Sequence, residues 1–66
     1  MPKQKRWFLK RELDYTVNAI ERGQEHIISV GKEFQPIHPE YAEACLRLFT
    51  ALELVKHSVK ELRDMI

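Results

Sequence analysis

The chain has 66 residues, a single cysteine and a formal net charge of +1 at neutral pH. This length allows one small domain, and a lone cysteine excludes both an internal disulfide framework and Cys–Cys zinc spacing. No apolar segment is long enough for a signal peptide or a membrane span, so we expect a protein of the reducing cytoplasm. So short a chain gains its stability from helix packing and, we expect, from a second copy of itself.

Charge is unevenly distributed along the chain. The first eleven residues contain five Lys or Arg and no acid, whereas the rest contains six Lys or Arg and ten Asp or Glu. Residues 1–5 are therefore interpreted as a disordered basic arm, and residues 6–66 as one mildly acidic helical domain.

Two helical patterns are separated by a bend rich in proline. We predict a first helix over about 7–34, a loop at 35–38 and a second helix over about 39–65. Pro39 suits the first position of that helix, which makes His38 its N-cap. The predicted fold is all-α, an antiparallel two-helix hairpin resembling a coiled coil.

Eight pairs of positions mirror one another about the point between Ile37 and His38. Steps along each arm alternate four and three residues, as the seam of an antiparallel hairpin requires. Fourteen of the sixteen positions are apolar or aromatic, and the exceptions are Thr16 and Gly23. The pattern predicts that Gly23 packs against a large Leu52, so that a bulkier residue at 23 overfills the layer. The pairs are Leu9/Ile66, Leu13/Leu62, Thr16/Val59, Ile20/Val55, Gly23/Leu52, Ile27/Leu48, Val30/Cys45 and Phe34/Tyr41.

A second apolar strip lies beside this predicted seam. Burying each Leu- or Phe-sized side chain of the strip is worth about 1.5–3 kcal/mol, which a hairpin alone forgoes. We therefore expect two hairpins to form a four-helix bundle about a two-fold axis, with a heteromeric partner as the alternative cover. The predicted interface residues are Val17, Ile28, Ala42, Leu46 and Phe49.

No set of residues specifies a reaction. His26, His38 and His57 are far apart along the hairpin, and Cys45 lies on the predicted seam, away from solvent and from partners that would activate a thiol. With two glycines the chain has no Gly-rich phosphate loop. We predict no enzyme activity, no metal and no cofactor.

The basic N-terminal end is the segment with the strongest functional signal. Its cations suit phosphates or carboxylates, and its rings suit stacking on bases or insertion into a protein surface. Alternatively, Trp7 and Phe8 only cap the bundle by packing near the end of the second helix, or the segment lies on anionic lipid. The candidate binding residues are Lys5, Arg6, Trp7, Phe8, Lys10 and Arg11.

These features favour a small interaction module that binds and modulates a larger protein, as an adaptor or inhibitor of the kind that phages and mobile elements encode. A nucleic-acid-binding hairpin dimer that uses the basic arm is the first alternative, and the acidic body argues against it. An oligomer that binds a small ligand between subunits is the second.

Overall fold

The computed structural model describes residues 5–66, and within that range it contains two α-helices and no strand. Helix α1 spans Arg6–Phe34 and helix α2 spans Pro39–Met65, and the two helices pack against each other. The predicted all-helical fold with two packed helices is confirmed. Of the predicted basic arm, residues 1–4 lie outside the described residues, and Lys5 immediately precedes α1.

Backbone hydrogen bonds and stacked rings close the bend between the helices. The N–H groups of Ile37 and His38 donate to the Phe34 carbonyl oxygen at 3.0 and 2.6 Å. Pro39 is the first residue of α2 and His38 is its N-cap, as predicted. The His38 side chain makes no capping hydrogen bond; its ring lies 4.7 Å from that of Tyr41, which also contacts Phe34 edge to face. The bend is thus a packed corner.

The two helices are antiparallel and close to the predicted register. Asp14 on α1 bonds to Arg63 on α2, and a Cβ atom built on Gly31 would lie 3.4 Å from the Cys45 Cβ. Each of these partners lies within two residues of the position that mirror symmetry about the bend assigns to it. A short bend therefore sets the register, because the paired chains can slip only by the few residues it contains.

The predicted seam is half wrong, because both helices are rotated about their own axes. Half of the predicted seam positions, such as Leu13 and Ile20, do lie between the helices. At the other half, such as Thr16 and Gly23, the residue one position later in the chain lies there instead. Val17 and Gln24 are 6% and 4% exposed, while Thr16 is exposed and an added Cβ at Gly23 meets nothing within 4 Å. Gly23 therefore does not pack against Leu52. The observed seam consists of Leu13, Val17, Ile20, Gln24, Ile27, Gly31 and Phe34 on α1, and of Ala42, Cys45, Phe49, Leu52, Lys56, Val59, Arg63 and Ile66 on α2.

This rotation also places three residues of the predicted dimer interface, Val17, Ala42 and Phe49, in the seam between α1 and α2. Val17 lies in the contact between α1 and α2 and presents almost no surface to another chain. It is the only apolar residue of the described range that is buried, because a rod of 53 × 15 × 11 Å has almost no interior. The hairpin therefore keeps most of its large apolar side chains in contact with water.

Candidate interaction surfaces

The N-terminal turns of α1 gather three aromatic rings around one guanidinium group. Trp7 and Tyr15 lie four residues before and after Arg11, and Phe8 lies three before it, so all share one side of the helix. The Arg11 Cζ atom is 4.9 Å from the centre of the Trp7 ring, 5.6 Å from Phe8 and 6.0 Å from Tyr15. Each exposed cation–π contact is worth about 0.5–1 kcal/mol. These four residues, here the Arg11 cluster, hold one another in place on the surface.

The Arg11 cluster points into solvent and does not close the end of the hairpin. Trp7 is 61% exposed, and Met65 at the end of α2 is 80% exposed. Tyr15, which the sequence analysis did not assign to the site, completes the cluster. Tyr15 lies four residues after Arg11, just as Trp7 lies four residues before it, and this spacing could have placed Tyr15 beside Arg11 from the sequence alone.

The cations around the cluster have no acidic partner among the described residues. Across residues 5–66, none of Lys5, Arg6, Lys10 and Arg11 forms an ion pair. A nearby acid, Asp14, instead accepts a 2.6 Å hydrogen bond from the Arg63 Nε. The positive charge of this end therefore remains available to an acidic partner.

A polar network crosses the middle of the helix contact. The buried Gln24 Nε2 donates to the Phe49 carbonyl oxygen at 3.2 Å and to the Glu53 carboxylate at 2.8 Å. Lys56 lies 3.0 Å from the same carboxylate. The hydrogen bond from Gln24, followed by that from Lys56, lowers the pKa of Glu53. The mirrored heptad did not predict this network, because it places Gly23 in the seam instead of Gln24.

This network makes stability fall in acid. Because the pKa of Glu53 is lower in the folded chain, its ionised form contributes stability that is complete above the unfolded pKa and is lost as pH falls through the folded one. We expect Glu53→Gln to flatten the fall in melting temperature between about pH 5 and about pH 3. Thermal unfolding followed by circular dichroism tests this, with the exposed Glu25→Gln as the matched control. Equal slopes for wild type and Glu53→Gln would contradict the assignment.

An apolar groove lies at the loop end of one broad face. It has a volume of about 300 Å³ and is open to solvent, and the residues that line it include Ile28, Gly31, Ala42, Leu46 and Phe49. The groove exists because small residues face each other there, leaving the flanking large side chains uncovered. It brings together four of the five residues predicted for the dimer interface and excludes Val17.

The opposite broad face contains the residues that were predicted for the seam but do not lie between the two helices. We call it the open face. On α2 its residues recur every seven positions, and each is about half exposed. On α1 the face includes the uncovered Gly23, so the helix surface is shallow there. The open face comprises Leu9, Thr16, Gly23, Val30, Tyr41, Leu48, Val55 and Leu62, none of which is charged.

The described residues offer no clustered metal ligands. Among residues 5–66, no three His, Cys, Asp or Glu side chains are grouped so that they could hold an ion. Neither helix has an apolar stretch of the length and composition needed to cross a membrane. Comparison with known protein families, with curated proteins and with solved structures finds no match.

Proposed function

We propose that this chain is a small non-enzymatic module that binds and modulates a larger protein, as a homodimer in the form of a four-helix bundle. The observation that carries the partner-binding role is the Arg11 cluster. Trp, Tyr and Arg dominate the binding energy of protein interfaces, and here they are assembled and exposed on one side of α1. We place the protein in the reducing cytoplasm, where its one cysteine stays a thiol.

The chemistry of the cluster defines the partner. Aromatic side chains lose little conformational entropy on binding, and these are already held against a guanidinium group, which lowers the cost further. The unpaired cations beside them favour negative charge. The partner surface that fits best has an apolar pocket for Trp7 with carboxylates at its rim.

Substitutions in the cluster test this function directly. We expect the tagged chain to capture one stoichiometric protein from a lysate of its native host, identified by mass spectrometry. Trp7→Ala and Arg11→Glu should each weaken binding to that purified protein at least about 30-fold, because hot-spot residues contribute about 2 kcal/mol or more. Titration calorimetry or biolayer interferometry gives the affinities.

Arg47→Glu is the matched control for charge reversal, because Arg47 is also exposed but lies on α2 outside the cluster. It should leave the affinity within about 3-fold of wild type. A captured protein that binds all three variants equally well, or the absence of any captured protein, would refute the proposal.

Nucleic acid is a second candidate partner, because the unpaired cations lie beside rings that can stack on bases. In that case single-stranded or structured RNA should bind in an anisotropy titration, with an affinity that falls steeply as salt is added. Binding that is insensitive to salt would exclude this mode. The acidic body confines any phosphate contact to the N-terminal end of the hairpin.

A further inference from the structure

We propose that a second copy of this chain packs on the open face, and that the loop-end groove stays outside the dimer contact. The inference deepens the homodimer part of the proposed function and rests on it. It differs from the sequence-based expectation, which assigned the dimer contact to the strip that lines the groove.

The packing of α1 on α2 is that of half a four-helix bundle. In such a bundle each helix contacts two neighbours, and its apolar stripe is divided between them. Here Val17 and Gln24 face the neighbour within the chain, while Leu48, Val55 and Leu62, which recur every seven residues on α2, remain about half exposed. The apolar stripe of each helix thus packs on one side against the other helix of the hairpin, while its other side is about half exposed. In a four-helix bundle that exposed side would contact a third helix.

The open face is continuous and lets a helix approach closely. Its row on α2, Tyr41 to Leu62, is apolar at every heptad step. Gly23 leaves space on α1, and alanines at 44 and 51 border the row on α2. Small residues of this kind allow helix axes to approach to the 8–10 Å that bundle packing requires.

The dimensions of the hairpin suit a second copy. A broad face of 53 × 15 Å presents an area on the order of 800 Å², which is what each partner contributes to an interface of standard size. None of the eight residues of the open face is charged, so a two-fold rotation that places this row against itself brings no like charges of the row together. The groove side, by contrast, carries Lys32, Glu21 and the Glu53–Lys56 pair.

Charge also assigns the relative direction of the two hairpins. Each N-terminal end carries four unpaired cations in the described range, whereas residues 32–43 at the loop end carry Glu33, Glu40 and Glu43 against one cation, Lys32. Loops at opposite ends of the dimer place each basic end beside the acidic loop end of the other copy. Loops at the same end would place the two basic ends together, which is unfavourable.

Three leucines of α2 separate the possible contacts. Leu48 lies on the open face, Leu46 in the groove wall and Leu54 on the outer side, and they are 55%, 64% and 66% exposed. We expect wild type to sediment at twice its 7.9 kDa monomer mass. Leu48→Glu should raise the dimer dissociation constant at least about 100-fold, since symmetry buries the carboxylate twice. Leu46→Glu and Leu54→Glu should change it by no more than about 2-fold.

The outcomes separate failure of the face from failure of the dimer. A wild-type chain that is monomeric at micromolar concentration overturns both the homodimer and the open-face contact, while capture through the Arg11 cluster remains a separate measurement. If wild type is a dimer, and Leu46→Glu dissociates it whereas Leu48→Glu does not, the dimer contact lies in the groove. Circular dichroism of each variant verifies that the helices persist.

Spin labels in the two loops test the direction. Ile37→Cys in a Cys45→Ala background places one label on each copy, at the exposed tip of the bend. Loops at opposite ends predict a label separation comparable with the 53 Å length of the hairpin. A separation under about half that length would overturn the opposed arrangement.

Discussion

Val17→Asp is expected to unfold the hairpin. Val17 is the one buried apolar side chain of the described residues. An ionised carboxylate there would be removed from water, and the two cations of the α2 seam, Lys56 and Arg63, are already paired with Glu53 and Asp14. The cost is about 3 kcal/mol or more, comparable with the whole stability of so small a domain. The helical signal at 222 nm should therefore fall to that of a largely unfolded chain at room temperature.

The neighbouring Asn18→Asp provides the control for Val17→Asp. It adds the same charge one residue along α1 on an exposed position, and it should change stability by no more than about 0.5 kcal/mol. If both variants melt at the wild-type temperature, Val17 is not the centre of the helix contact.

The two glycines of α1 are expected to respond to leucine in opposite directions. At Gly31 a Cβ already touches the Cys45 Cβ at 3.4 Å, so the rest of a leucine side chain forces the helices apart. Such overpacking costs about 1–3 kcal/mol, which exceeds the helix propensity of about 1 kcal/mol that replacing glycine gains. At Gly23 an added Cβ meets nothing within 4 Å, so Gly23→Leu should gain the helix propensity without the cost of overpacking.

Melting temperatures in a Leu48→Glu background measure this contrast without a contribution from the second copy. Gly23→Leu should melt above the parent and Gly31→Leu below it, with about 4–8 °C for each kcal/mol. The mirrored heptad predicts the reverse order, because it places Gly23 in the seam and Gly31 outside it. The order of the two melting temperatures therefore decides between the two helix rotations.

The elements and their register followed from local features of the sequence. The prolines at 36 and 39 end one helix and begin the next, and the short bend leaves little freedom in which residues lie opposite each other. The rotation of each helix did not follow. The observed seam is turned by about 50° from the mirrored one, half the 100° between successive residues. When an apolar stripe is wide enough to contact two neighbouring helices, its composition does not show which side of it packs against the other helix of the same chain.

The polar part of the contact was the least predictable. Gln24 is buried because its amide reaches Glu53 and the Phe49 carbonyl, an arrangement that depends on the helix rotation. Trp7, Phe8 and Arg11 were assigned to the site from composition alone, and Tyr15 joined them only once α1 placed it one turn beyond Arg11. Local composition thus predicted most of the cluster, whereas contacts between helices required the structure.

The central claim is that α1 and α2 meet through the seam that contains Val17 and Gly31, which leaves the heptad row on the open face uncovered. The native Cys45 provides a direct test by oxidation. In Gly31→Cys the two Cβ atoms would lie 3.4 Å apart. This is just short of the usual Cβ–Cβ separation of about 3.5–4.5 Å in disulfides, so a small shift should let mild oxidation of dilute protein close an intramolecular bond. Intact mass spectrometry detects this as a monomer that has lost two hydrogens. Val30→Cys, which the mirrored heptad pairs with Cys45, should stay reduced under the same conditions. If Val30→Cys closes readily and Gly31→Cys does not, the rotation described above is incorrect.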